Sequence, residues 1–149
     1  MARKFGVLIA AHGTLAQSAF ESLEMLTGRQ KNIETVGLFP GMGREELRGA
    51  MEKKLELLAG CEGVLIAADL VGGTPANVAA ELAAKRPALQ LVAGVNMAFL
   101  CELVIMEDLN DAVIDELMEA GHLGLQNLGA KVRAFSGSER NISLDENDL

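Results

Sequence analysis

Two kinds of apolar spacing alternate along the chain. Phe5-Gly6-Val7-Leu8-Ile9-Ala10-Ala11 is an unbroken apolar run, the form of a strand covered on both faces. Ala16, Ala19, Phe20, Leu23 and Leu26 then recur at three- and four-residue steps and close at Thr27-Gly28, which predicts an amphipathic helix with a glycine at its end. Ile33 to Phe39 reads as a second strand, stopped by Pro40-Gly41-Met42-Gly43, and Leu47, Ala50, Met51, Leu55 and Leu58 mark a second helix from Arg44 to Ala59. The cycle repeats with a strand over Gly63 to Ala68, a loop through Asp69-Leu70-Val71-Gly72-Gly73-Thr74 and a helix opened by Pro75. Leu89 to Ala93 is a fourth strand. Asn96 is placed to cap a helix running to Met106, and another helix starts at Asp108. Lys131 to Phe135 reads as a short fifth strand.

Strand and helix in alternation predict an α/β fold with a mainly parallel sheet and helices on both faces. Right-handed crossovers leave few topologies, and the flavodoxin-like, doubly wound order 2-1-3-4 suits this length. One domain over residues 1–135 follows, with a polar acidic tail over 136–149 that ends Asp145-Glu146-Asn147-Asp148-Leu149. On a single subunit the fifth strand would be an exposed edge, which invites pairing with a second copy in a homodimer.

Composition narrows the function. The 149 residues are half hydrophobic, with 16 Gly and no Trp or Tyr, so an aliphatic core broken by tight turns is expected rather than disorder. A formal charge of -8 disfavours nucleic acid or anionic lipid as the main partner, because phosphate backbones demand clustered cations, and favours a basic protein surface. Cys61 and Cys101 lie among apolar residues and are expected to be buried free thiols. With His12 and His122 they are too scattered for a metal site, and no cofactor is implied. Phe5 to Ala11 is too short for a signal peptide and no apolar run reaches a membrane span, so a cytoplasmic protein is expected. A G-x-S-x-G elbow, a Walker A loop and a dinucleotide glycine pattern are all missing, which argues against hydrolases and nucleotide enzymes.

In open α/β sheets ligands bind at the carboxyl ends of strands where the strand order reverses. For the order 2-1-3-4 the residues leaving the two strands at that point are His12 and Asp69. If Asp69 accepts one ring N–H, the other ring nitrogen of His12 is left with its lone pair and the carboxylate stabilises positive charge growing on the ring. Gly13-Thr14 and Gly72-Gly73-Thr74-Pro75 each open a helix, and helix N-termini of this kind cradle phosphate. A phosphoryl group carried on His12 fits these parts. Taken one at a time, His12 is more often a structural or helix-capping residue, Asp69 a turn residue and Gly72-Gly73 a tight bend, and only their joint placement at one switch point brings the two readings level. The residues alone leave both readings open.

The motifs in order are more specific. Ile9-Ala10-Ala11-His12-Gly13, Glu24-Met25-Leu26-Thr27-Gly28, Phe39-Pro40-Gly41, Asp69-Leu70-Val71-Gly72-Gly73-Thr74-Pro75-Ala76-Asn77 and Ala93-Gly94-Val95-Asn96-Met97 together resemble the enzyme IIA domain of the mannose/fructose/sorbose family of the bacterial phosphoenolpyruvate:sugar phosphotransferase system, over residues 3–130. The resemblance implies a flavodoxin-like homodimer that exchanges its last, antiparallel strand. It implies that His12 takes a phosphoryl group from the phosphocarrier HPr and passes it to a IIB component. It further implies that Asp69 orients the ring and that Thr74 sits at the phosphate, beside the Gly13, Thr14, Gly72 and Gly73 that the helix starts already offered. Thr74 stands where many members carry Ser, and Ala98 where many carry Pro. No IIB domain follows within residue 149, so a separate IIB chain is the expected acceptor, with the membrane subunits IIC and IID served indirectly. Leu15, Met42, Val71 and Phe99 are the expected apolar contacts for protein partners. Two alternatives stay open: a phosphohistidine donor for dihydroxyacetone kinase, and a regulatory module read through the phosphorylation state of His12.

Overall fold

The computed structural model describes residues 2–137. Four strands form one sheet: β1 (Gly6–His12), β2 (Ile33–Leu38), β3 (Val64–Ala68) and β4 (Leu89–Ala93). Their order is β2-β1-β3-β4 and every neighbouring pair is parallel. The helices are α1 (Leu15–Thr27), α2 (Arg44–Leu57), α3 (Thr74–Lys85), α4 (Met97–Leu103), α5 (Asp111–Leu123) and α6 (Leu128–Ser136).

The period of two along a strand splits the core into two layers. Val7, Ile9 and Ala11 of β1 and Leu65 and Ala67 of β3 face α1, α4 and α5, where Leu23, Leu100, Leu103 and Leu117 meet them. Leu8 and Ala10 of β1 and Val64 and Ile66 of β3 face α2 and α3, against Leu47, Met51, Val78 and Leu82. Because β1 and β3 are covered on both sides, they show unbroken apolar runs. The edge strand β4 is only half-buried along its length.

Several expected boundaries move. The helix capped by Asn96 stops at Leu103, because the Ile105 and Met106 amides bond back three residues, to Glu102 and Leu103, and tighten the last turn. The next helix begins at Asp111 behind Asn110, whose side chain accepts from the Val113 amide, while Asp108 pairs instead with Lys4 at 3.0 Å. The fifth strand is not formed. Lys131 to Phe135 lies inside α6, capped by Asn127 accepting from the Ala130 amide. A strand needs a neighbouring strand to satisfy its N–H and C=O groups, whereas a helix satisfies its own. Leu128 and Val132 of α6 remain about half exposed, at 47% and 51%. The cysteines are free as expected but half-buried rather than buried, since both pack at the margins of the two core layers. Of the polar tail over 136–149, all beyond Gly137 lies outside the described residues.

Candidate functional site

His12 is the last residue of β1 and pairs in register with Leu38 of β2. Gly13 follows at φ +57, a left-handed conformation that suits glycine and bends the chain from β1 into α1. Its amide donates to the Leu38 carbonyl at 2.7 Å. The bare Gly37 leaves room for the Gly13 carbonyl, which lies only 2.3 Å from where a Cβ at residue 37 would stand. On the other side, the Asp69 amide donates to Ala10 at 3.2 Å, so the pairing of β1 with β3 continues one residue and delivers Asp69 beside His12.

One oxygen of Asp69 does two jobs. Oδ2 accepts the His12 backbone N–H at 3.0 Å and lies 2.9 Å from ring Nδ1. Burial alone would raise the Asp69 carboxyl, but the His12 backbone N–H, the ring N–H and the charge of the ring outweigh it and hold the group below its ordinary value. An ionised carboxylate only accepts, so Nδ1 carries a proton, and it is in the neutral ring that Nε2 has the lone pair. The imidazole is 45% exposed and the carboxylate 13%: a reachable ring on a sheltered orienting group. The second oxygen, Oδ1, is buried without a hydrogen-bond partner among the described residues.

Beside this pair lie two helix starts. Thr14 stands exposed at the head of α1 and makes no side-chain cap. Gly72 sits at φ +79, Gly73 caps α3, and Thr74 opens it half-buried, with Pro75 in the first turn. The Asn77 amide bonds to Gly73, and its side chain donates to the Gly72 carbonyl at 3.2 Å, fastening the loop to α3. First-turn amides of α1 and α3 are therefore free to meet an anion.

Around this pair, Leu15 and Val71 are exposed as expected, at 53% and 74%, and Met42 is half-buried beside Pro40 and Gly41. Phe99 is a correction. It is 2% exposed, because Asn96 caps α4 through the Phe99 amide and turns the ring into the core with Leu100 and Leu103. Two further apolar residues, not among the expected partner contacts, are also exposed, Phe39 at 49% and Leu70 at 56%. Each lies within a motif of the resemblance, Phe39 before the Pro40-Gly41 turn and Leu70 next to Asp69. His122 lies in the last turn of α5, apart from His12. Among the described residues no cluster of His, Cys, Asp or Glu has the makings of a metal site, and no helix is long and apolar enough to cross a membrane.

A doubly wound parallel sheet with a paired histidine and aspartate at its switch point defines a class, the flavodoxin-like α/β proteins with a His–Asp pair at the carboxyl end of the sheet. The comparisons give the family. Residues 6–120 match the model of the EIIA-man family, described as the PTS system fructose IIA component. The chain is 33% identical over 129 residues to the mannose-specific EIIAB component of Escherichia coli, a match over 84% of this chain and 40% of that protein. It thus spans about two-fifths of the length of that relative. The fructose-specific EIIA component of Bacillus subtilis is 29% identical over 130 residues, covering 87% of this chain and 80% of that one. Among solved structures, the PTS IIA protein associated with the fucose utilization operon of Streptococcus pneumoniae superposes with a TM-score of 0.78 at 28% identity, covering 89% of this chain and 99% of that one. The chain belongs to the EIIA-man family: it is an EIIA-type component of the mannose/fructose/sorbose group of the phosphotransferase system.

Proposed function

We propose that this protein is a phosphocarrier that accepts a phosphoryl group from HPr on His12 and hands it to a IIB component, in the service of sugar uptake. The observation that carries the reading is the 2.9 Å contact between His12 Nδ1 and Asp69 Oδ2, which commits Nε2 to the role of nucleophile. The Nε2 lone pair attacks phosphorus in line while the donor's P–N bond breaks, and that electron pair returns to the donor ring. Positive charge grows on the His12 imidazole as the new P–N bond forms, and Asp69 lies where it stabilises that charge. The phosphoryl oxygens rest on first-turn amides of α1 and α3, with the Thr14 and Thr74 hydroxyls beside them. Reversal of the same step onto a IIB nucleophile returns His12 to its starting state, with no water consumed.

The membrane subunits IIC and IID are served only indirectly, through IIB, and the protein works in the cytoplasm. Leu15, Phe39, Met42, Leu70 and Val71 form the apolar collar for either partner, and the net charge of -8 suits a basic donor. The acting unit is a homodimer. The β4 edge has no strand partner among the described residues, and beside it Val92, Phe99, Met118, His122 and Leu125 line a cleft of about 310 Å³. The experiment is incubation with phosphoenolpyruvate, enzyme I and HPr, followed by purified IIB or dihydroxyacetone kinase. Acid-labile label is expected on the native protein and on His122→Ala but not on His12→Ala, and it should pass to IIB. Label retained by His12→Ala, or passed only to the kinase, overturns the assignment.

A further inference from the structure

Adjacent glycines in the loop after β3 serve different ends. Gly72 has φ +79, so it is there for its backbone. Gly73 has φ -72 and ψ 159, an extended conformation open to any residue, so backbone freedom does not explain it. Its surroundings do. A Cβ on Gly73 would lie 2.8 Å from Cε1 of His12, with the Leu70 carbonyl oxygen at 3.3 Å and Leu70 Cβ at 3.5 Å. The imidazole edge rests directly on the bare Cα.

We propose that Gly73 is a positioning residue for His12, holding the ring edge at Cε1 while Asp69 holds Nδ1, so that one loop fixes the imidazole at two of its atoms. Cε1 lies between the two nitrogens, so pressure there acts on the Asp69 hydrogen bond and on the direction of the Nε2 lone pair together. A methyl at residue 73 is confined on a second side as well. Leu70 closes its far side, and the backbone beneath is pinned because the Gly73 amide donates to Leu70 at 3.1 Å and its carbonyl accepts from Asn77 at 3.0 Å. The histidine side chain is the partner that yields. Ordinary contact begins at 3.4 Å, so the ring must withdraw by roughly half an ångström or turn, and the 2.9 Å bond to Asp69 is what gives.

The consequence for phosphoryl transfer rests on the phosphocarrier reading, whereas the consequence for the ring does not, and the experiment separates them. Histidine-labelled protein is prepared as the native chain, as Gly73→Ala and as Gly60→Ala, a control at a glycine with nothing within 4 Å of its Cβ position. Long-range nitrogen–proton spectra of the His12 ring should show the Nδ1–H form in the native and control proteins and a mixture with the Nε2–H form in Gly73→Ala. Melting temperatures should stay within a few degrees of one another. Transfer from phosphorylated HPr should fall about 10- to 100-fold in kcat with KM little changed, the size expected when a reacting atom is misplaced by an ångström or less. In the native protein, a nuclear Overhauser contact between the His12 Cε1 proton and the Gly73 Cα protons tests the packing without any substitution. Its absence, or a Gly73→Ala ring spectrum identical to the native one, overturns the proposal. A native protein that takes no label from HPr would instead defeat the phosphocarrier reading, and the ring spectra would still decide the role of Gly73.

Discussion

Replacing Asp69 by asparagine keeps the shape of the side chain and removes its charge. In the structure Oδ2 receives two donors, the His12 amide at 3.0 Å and ring Nδ1 at 2.9 Å. Hydrogen bonds to a charged acceptor are roughly twice as strong as neutral ones, so each weakens to about half. The asparagine amide must also go somewhere. With its oxygen toward His12, the NH2 group occupies the place of Oδ1, where no partner waits, at a cost of about 1–3 kcal/mol. Turned round, it donates toward Nδ1, moves the ring proton to Nε2 and blocks the nucleophile, the fault known from an Asp-to-Asn change in a serine protease triad. Removal of a desolvated charge offsets part of this loss, so the net fall in stability is set at about 1 kcal/mol. Catalysis loses more. A carboxylate about 4 Å from the centre of a developing imidazolium contributes about 4 kcal/mol at an effective dielectric of 20, which suits a ring that is 45% exposed. At about 1.4 kcal/mol per tenfold, transfer should slow by about three orders of magnitude. Quench-flow transfer from labelled HPr, run beside calorimetric unfolding, measures both quantities. An Asp69→Asn protein that transfers within threefold of the native rate would refute the argument, and one that fails to fold would show that Asp69 is structural first.

Further tests reach other parts of the molecule. The Asp69 carboxyl is held below its ordinary value by the His12 N–H groups and ring charge, against a burial effect that raises it, so its contribution to stability is present above the unfolded carboxylate value near about 4 and is lost as pH falls through the lower folded value. The difference in melting temperature between native and Asp69→Asn protein should therefore hold steady above about pH 5 and shrink below about pH 4; a gap that widens in acid has the wrong sign. Glu46 lines the shallow cleft of Phe39, Pro40 and Met42, and Glu46→Lys should slow phosphorylation by a basic donor several-fold at low salt, with the difference fading once the Debye length falls to about 3 Å. Stopped-flow rates that are equal for the two proteins at low salt would remove electrostatic steering from the account. Leu65 of β3 is fully buried against the layer of α1, α4 and α5, so Leu65→Ala should cost about 2–5 kcal/mol in denaturant unfolding; a loss under about 1 kcal/mol would mean that the layer refills the cavity.

Much of this was readable from residue order because it depends on local chemistry and period. Apolar runs in β1 and β3, the three- and four-residue steps of α1 and α2 and the Asn96 cap each record a short-range preference, and right-handed crossovers then leave the order β2-β1-β3-β4 as the natural closure. The meeting of His12 and Asp69 followed from the same rule, since both leave strands at the reversal of strand order. Packing decided the rest. Phe99 and Val71 are both apolar residues beside a motif, yet one is 2% and the other 74% exposed, because the cap at Asn96 rotates α4 and no local pattern encodes that rotation. Lys131 to Phe135 alternates like a strand but lies in α6, because strand pairing is a property of two segments and not of one. Gly72 and Gly73 are the same letter twice. Only the folded chain shows that the first is needed for its φ and the second for the imidazole that rests on it, since a contact across 61 positions has no signature in either neighbourhood.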